Sequence, residues 1–319
     1  MEPGIHEIDP NGDTLLTLRY PNAPFAIREN KQEIRIRLSS KHLTLASAYF
    51  EKMMANDWRE TNPEDGYSYV VTADGWDQKA LLILMNIIHG QTTKVPRTIS
   101  LEMLTKMSVL VDYYKCHEAV EFFAKTWISN LTEPVPSSYG RNLLLRLCVS
   151  WVFSEADTFQ SLTKTVVYES RGPIHSLDLP IPGDVIDALE MRRQNLVSEV
   201  ISGLHDLKSQ FSKDEGTCSF ECSSILLGAL IKGMNAACIL DPLPKSGFEG
   251  YSFKALEQAV INIQEPNYSS IPNSYSLCKR PTYSALRRRC TLLEKTRPII
   301  DTKVETMCGL ELIAFTNQG

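Results

Sequence analysis

Apolar and polar residues alternate in three short segments near the start of the chain. In the segment TLLTLRY, Leu16, Leu18 and Tyr20 alternate with Thr17 and Arg19. The same period of two recurs in EIRIRL (33–38), and a third β-rich run covers residues 67–72. An alternation of this kind is typical of strands with one buried face, so the pattern predicts a small sheet.

The spacing of apolar residues changes to that of a helix directly after the second strand. Ser39 or Ser40 is placed to cap a helix whose apolar face comprises Leu43, Ala46, Phe50, Met53 and Met54. This predicts a strand that leads straight into a helix ending at Trp58-Arg59-Glu60.

Three further helices are predicted before a break in the pattern. The first covers 77–89 and stops at Gly90, the second begins after the capping residue Ser100, and the third covers 117–131. The segment TEPVPSSY (132–139) contains two prolines, which helices avoid, so we predict a domain boundary there.

The remainder of the chain is predicted to be mainly helical. Helices are expected at 142–153, from Asp184 to Phe211, and at 223–239, 252–264 and 283–295. Arg193 and Gly203 interrupt the heptad phase of the long helix, which favours packing within its own domain over a coiled coil.

The amino-terminal segment resembles the BTB/POZ domain. The resemblance covers about residues 10–131 and lies in Asp13-x-x-Leu16-x-Leu18, Ile36-x-Leu38, Leu43-x-x-x-Ser47-x-x-Phe50 and LLILMNIIHG (81–90). The overall look is closest to fungal members. Members of this family mediate protein–protein contacts, commonly dimerise through the first helix and N-terminal elements, and catalyse no reaction.

The resemblance implies an α+β fold class and an organisation into two domains. A BTB/POZ domain, a small sheet covered by helices, is expected at 10–131, a linker at 132–140 and a mainly helical domain at 141–319. Many members have a histidine at the strand-to-helix junction, where the register places Ser39 in this chain. The pocket chemistry of those members is therefore not expected here.

The resemblance also implies partners. Trp58-Arg59-Glu60 resembles a hydrophobic-x-Glu motif through which some BTB adaptors contact a cullin scaffold of a ubiquitin ligase. Trp58 and Glu60 are thus the candidate protein-binding residues, with an aromatic anchor and a carboxylate at its rim. The function expected is an adaptor that forms a homodimer and binds an unknown client protein. A transcription-complex scaffold is the alternative within this class.

Composition and charge narrow the class of protein further. Apolar residues make up 43% of the 319 residues, enough for a buried core, and the net charge of −5 argues against direct nucleic-acid binding. No signal peptide or membrane-spanning stretch is predicted. Eight scattered cysteines without a disulfide framework favour reduced thiols, hence an intracellular protein in cytoplasm or nucleus.

Two cysteine motifs raise the alternative of a metal-binding or enzymatic C-terminal domain. Cys218-x-x-x-Cys222 could place two thiolates on one helix face, but further ligands would have to come from Cys238, Cys278, Cys290, Cys308 or His205. Buried structural thiols are the favoured interpretation, so no metal or cofactor is predicted. Cys116 and His117 are adjacent in a helix and point in different directions, so no nucleophile–base pair and no enzyme are predicted.

Overall fold

The computed structural model describes residues 5–20, 33–55, 66–267 and 290–316. The chain forms two compact units. Unit 1 comprises residues 1–162, 175–183 and 311–319, and unit 2 comprises residues 163–174 and 184–310. The segment 132–140, predicted as a linker, lies inside unit 1. Among the described residues, no helix has the length and apolarity needed to cross a membrane.

Unit 1 contains a four-stranded mixed sheet. The strands are β1 (Ile5–Glu7), β2 (Thr14–Arg19), β3 (Ile34–Leu38) and β4 (Tyr69–Asp74). Their order across the sheet is β1-β3-β2-β4, with β2 and β3 antiparallel and the other two pairs parallel. Leu16 lies opposite both Ile36 and Val71, so the alternating apolar residues share one buried face.

Helices complete unit 1. They are α1 (Ser40–Ala46), α2 (Ala48–Ala55), α3 (Gln78–Ile88), α4 (Leu101–Tyr114), α5 (His117–Ser129) and α6 (Arg141–Val152). A short 3-10 turn lies at Thr92–Lys94, and α12 (Ile313–Thr316) adds a late segment of the chain. The predicted mixed class of small sheet and helices is confirmed in this coarse sense.

The helix α6 packs on α4, which explains why unit 1 extends past the predicted boundary. The Thr105 hydroxyl lies 3.4 Å from the Leu145 carbonyl oxygen, and Arg141 lies 3.6 Å from the Glu102 carboxylate. Nine of the twelve residues of α6 are buried, in keeping with its apolar sequence.

The helix predicted after β3 is wrong in one respect, because it is two helices. Ser47 is extended between α1 and α2, with φ −144° and ψ 115°. Its hydroxyl donates to the Tyr114 carbonyl oxygen and accepts from the Phe50 backbone N–H. The break therefore lets one serine cap α2 and join it to α4.

The predicted capping of α1 by a serine side chain is also wrong. Ser39 makes no side-chain capping bond, and the Asp13 carboxylate accepts from the backbone N–H and the hydroxyl of Ser40 at 2.8 and 2.6 Å. Burial opposes ionisation of Asp13, but the hydrogen bonds from Ser40 outweigh it and lower the pKa of Asp13. The turn before β2 thus fixes the start of α1.

Unit 2 is built from helices packed around one apolar core. They are α8 (Gly183–Ser212), α9 (Phe220–Ala236), α10 (Phe253–Ile261) and α11 (Leu292–Thr306), and α7 (Ala156–Glu169) runs from unit 1 into unit 2. Val200, Leu204, Leu226 and Leu230 are fully buried in this core. The helix predicted at 283–295 overlaps the start of α11, which continues to Thr306, and its part at 283–289 lies outside the described residues. The elements α7 and β1 were not predicted.

Candidate interaction surface and cysteine cluster

The helix α1 presents a large apolar side chain to solvent. Leu43 faces the core and is fully buried, whereas Leu45 on the opposite side is 89% exposed. The edge strand β1 is also exposed, and its Ile5 is 43% exposed. An edge strand offers unpaired backbone groups to another chain, so both elements have the properties of a contact surface.

His89, at the carboxyl end of α3, lies against the junction between β3 and α1. The backbone N–H of Ser39 donates to His89 Nε2 at 2.9 Å, and His89 Nδ1 lies 2.8 Å from the Met85 carbonyl oxygen. The ring therefore accepts at Nε2 and donates at Nδ1. Burial is the largest influence on the pKa of His89 and lowers it, which favours this neutral form.

An aromatic cluster lies beside the start of α2. The tilted rings of Tyr49 and Tyr113 have centroids 5.2 Å apart, and the Trp76 ring meets the Tyr113 ring edge-on at 4.9 Å. The Trp76 indole N–H donates to the buried Tyr114 hydroxyl at 3.0 Å, while Tyr113 is 46% exposed. Aromatic side chains of this kind are enriched at protein interfaces. No local sequence pattern predicts the cluster, because its members come from three separate segments.

The predicted cullin-binding residues Trp58 and Glu60 lie outside the described residues. The helix α2 is described as far as Ala55.

The Cys116 and His117 pair does not have the properties of a nucleophile and its base. Cys116 is buried, and burial raises the pKa of its thiol to about 12, so the thiolate is scarce at neutral pH. His117 lines a cavity of about 450 Å³ together with Asp112, Glu118 and Trp151. The cavity is therefore lined by titratable side chains, but Cys116 does not supply it with a reactive thiolate.

Three cysteines converge in unit 2. The sulfur atoms of Cys218, Cys222 and Cys290 all lie within 4.8 Å of one another. Cys222 and Cys290 are each 1% exposed in the apolar core, and Cys218 is partly exposed. The spacing of Cys218 and Cys222 pointed to this pair, and the fold adds Cys290 as the third member.

The other residues considered as partners of this pair are placed differently. The His205 ring donates from Nε2 to the Ile239 carbonyl oxygen at 2.8 Å. Cys238 and Cys308 are exposed, and Cys278 lies outside the described residues. Of the cysteines that the structure describes, Cys290 alone joins the pair.

No family model matches the chain, and no curated protein matches it significantly.

Proposed function

We propose that the chain is an intracellular adaptor that forms a homodimer through unit 1 and binds a client protein. The support is the composition of unit 1, which combines a small four-stranded sheet with helices that include the close pair α1 and α2. The resemblance to BTB/POZ domains implies such an arrangement. The proposal assigns the chain no catalytic role, and a transcription-complex scaffold is the alternative within the same class.

The exposed apolar face of α1 is the observation that carries the proposal. Leu45 is 89% exposed, on the helix through which the resembling family commonly dimerises. Burying a leucine side chain contributes about 1.5 to 3 kcal/mol. A twofold symmetric contact would bury Leu45 of both copies, so the contribution would count twice.

Replacing Leu45 by glutamate is therefore expected to separate the dimer. The change removes apolar area from both sides of the interface and places two like charges there, so the dissociation constant should rise at least about a hundredfold. Light scattering at several concentrations measures this directly. The wild-type chain should have twice the 36.0 kDa mass of one chain, and Leu45→Glu should have that mass once.

Phe122→Glu provides the matched control. Phe122 on α5 is 76% exposed, so the same kind of substitution is made on another surface of unit 1. The control should keep the mass of the dimer. A wild-type chain that stays monomeric at every concentration, or a Leu45→Glu chain that stays dimeric, would contradict the proposal.

Recruitment to a cullin scaffold is the second part of the proposal and rests on Trp58 and Glu60. Removing a buried aromatic anchor typically costs about 2 kcal/mol or more, so Trp58→Ala with Glu60→Ala should weaken binding at least about thirtyfold. The measurement is the affinity of the purified full chain for a purified cullin scaffold.

A Trp58→Phe variant keeps an aromatic anchor and should retain most of that affinity. Melting temperatures of both variants should stay close to that of the wild type. Equal affinity of the wild type and the double variant, or no binding at all, would remove the cullin contact from the proposal and leave the test of the dimer unaffected.

A further inference from the structure

The cysteine cluster of unit 2 has the donor atoms of a zinc site. Zinc binds thiolate sulfur at about 2.3 Å in tetrahedral geometry, which places the sulfurs of one site about 3.8 Å apart. The sulfurs of Cys218, Cys222 and Cys290 lie within 4.8 Å of one another, so side-chain movements of less than about 1 Å bring them to bonding positions.

The fold holds two of these cysteines at the starts of two helices. Cys222 lies in the first turn of α9, where its backbone N–H donates to the capping Ser219 hydroxyl at 3.2 Å. Cys290 comes directly before the capping residue Thr291 of α11. The Glu265 carboxylate accepts from the Leu292 backbone N–H at 3.0 Å and so fixes that start. The first turn of a helix favours negative charge, which suits a metal-bound thiolate.

Burial in the core also suits a metal ion with a structural role. Cys222 and Cys290 are shielded from water, and the partly exposed Cys218 gives the ion a route into the site.

We propose that Cys218, Cys222 and Cys290 bind one zinc ion that links the starts of α9 and α11. The ion displaces the three thiol protons to solvent, and its fourth position accepts a water molecule or another donor. The site is independent of the adaptor function, because it lies wholly in unit 2 and joins two helices of that unit.

Elemental analysis of the full chain, purified under reducing conditions and without a metal-affinity tag, tests the proposal. We expect about one zinc per chain in the wild type and less than about a tenth of that in Cys222→Ser and Cys290→Ser. Cys238→Ser alters an exposed cysteine outside the cluster and should keep the full zinc content.

Cobalt substitution of the wild-type chain decides the question even where the serine variants fail to fold. A thiolate site gives Co²⁺ a sulfur-to-metal charge-transfer band and the visible bands of tetrahedral coordination, and added zinc should abolish both. A wild-type chain that is purified without zinc, and that neither binds added zinc nor produces these cobalt bands, would overturn the proposal.

Discussion

Replacing Arg193 by methionine is expected to destabilise unit 2 by about 3 to 5 kcal/mol. Arg193 lies in α8 and is fully buried. Its guanidinium donates to the backbone carbonyl oxygens of Gly247, Phe248 and Tyr251 at 2.5, 3.4 and 3.4 Å. Methionine fills a similar volume but leaves these oxygens without donors, and each buried unsatisfied group costs about 1 to 3 kcal/mol.

The carboxylate that pairs with Arg193 adds to the expected loss of stability of unit 2. The Glu190 carboxylate lies 3.1 and 2.6 Å from the Nε and Nη2 atoms of Arg193. Burial would raise the pKa of Glu190, but the hydrogen bonds from Arg193 and Gln194 outweigh it and lower that pKa. Glu190 is therefore ionised at neutral pH, and Arg193→Met removes its cationic partner and leaves the hydrogen bonds from Gln194 and from the Ile174 backbone.

Urea unfolding followed by far-ultraviolet circular dichroism records the helices of both units, so a transition that tryptophan fluorescence does not show belongs to unit 2. All four tryptophans lie within residues 1–162, so their fluorescence follows unit 1 separately. Arg193→Lys keeps the positive charge but lacks the planar guanidinium with its several donors, so its loss of unfolding free energy should lie between those of the wild type and Arg193→Met.

Arg297→Met is the control for a charge change at the surface of unit 2. Arg297 is 66% exposed in its side chain and pairs with Asp301 at 3.5 Å. Such a pair contributes about 0.5 kcal/mol or less. An Arg193→Met chain within about 1 kcal/mol of the wild type would show that the guanidinium is dispensable.

The long helix α8 shows how far the sequence could go in unit 2. Its apolar spacing predicted the helix, and the interruptions at Arg193 and Gly203 predicted that it is no coiled coil. In the structure each interruption packs against another segment. Arg193 donates to the carbonyl oxygens of Gly247, Phe248 and Tyr251. Gly203 lies so close to Ile299 that an added Cβ would be 2.9 Å from the Ile299 Cγ2 atom. These partners lie far along the chain, and a single sequence contains no signal for such pairings.

Unit 1 shows the same division between local and distant signals. The strands β2 and β3 were predicted from alternation, and the cap of α4 was predicted from Ser100. The break at Ser47 was not, because it depends on the carbonyl of Tyr114. The strand β1 was missed because its three residues are all exposed and show no alternation of burial.

The candidate sites were predictable to a similar extent. Helical spacing singled out Cys218 and Cys222, but only the fold selects Cys290 among the remaining cysteines. The exposure of Leu45 follows from its position two residues after the buried Leu43 on one helix. Trp58 and Glu60 were found by their short motif alone, so their contact stays a prediction.

Replacing Gly12 by alanine is expected to destabilise unit 1 by about 3 kcal/mol, because the added Cβ has no room. It would lie 2.2 Å from the Leu38 carbonyl oxygen and 3.0 Å from that of Asp9. Both neighbours are backbone atoms, which cannot rotate away as a side chain can. The turn would have to move away from the end of β3, losing the bond from the Arg37 Nε–H to the Gly12 carbonyl oxygen at 2.9 Å.

The displacement would also reach Asp13, the next residue, which joins two other elements to this turn. Its carboxylate caps α1 through Ser40, and its carbonyl oxygen accepts from the Ser68 backbone N–H at 2.8 Å just before β4. Tryptophan fluorescence during urea unfolding measures the loss in unit 1. Gly140→Ala, at the N-cap of α6 where a Cβ meets no atom within 4 Å, should cost about 1 kcal/mol or less. Equal urea midpoints for Gly12→Ala and Gly140→Ala would contradict this prediction. They would show that the turn can move away from Leu38 without a loss of stability, and that the hydrogen bonds of Asp13 do not require the close approach of Gly12 to Leu38.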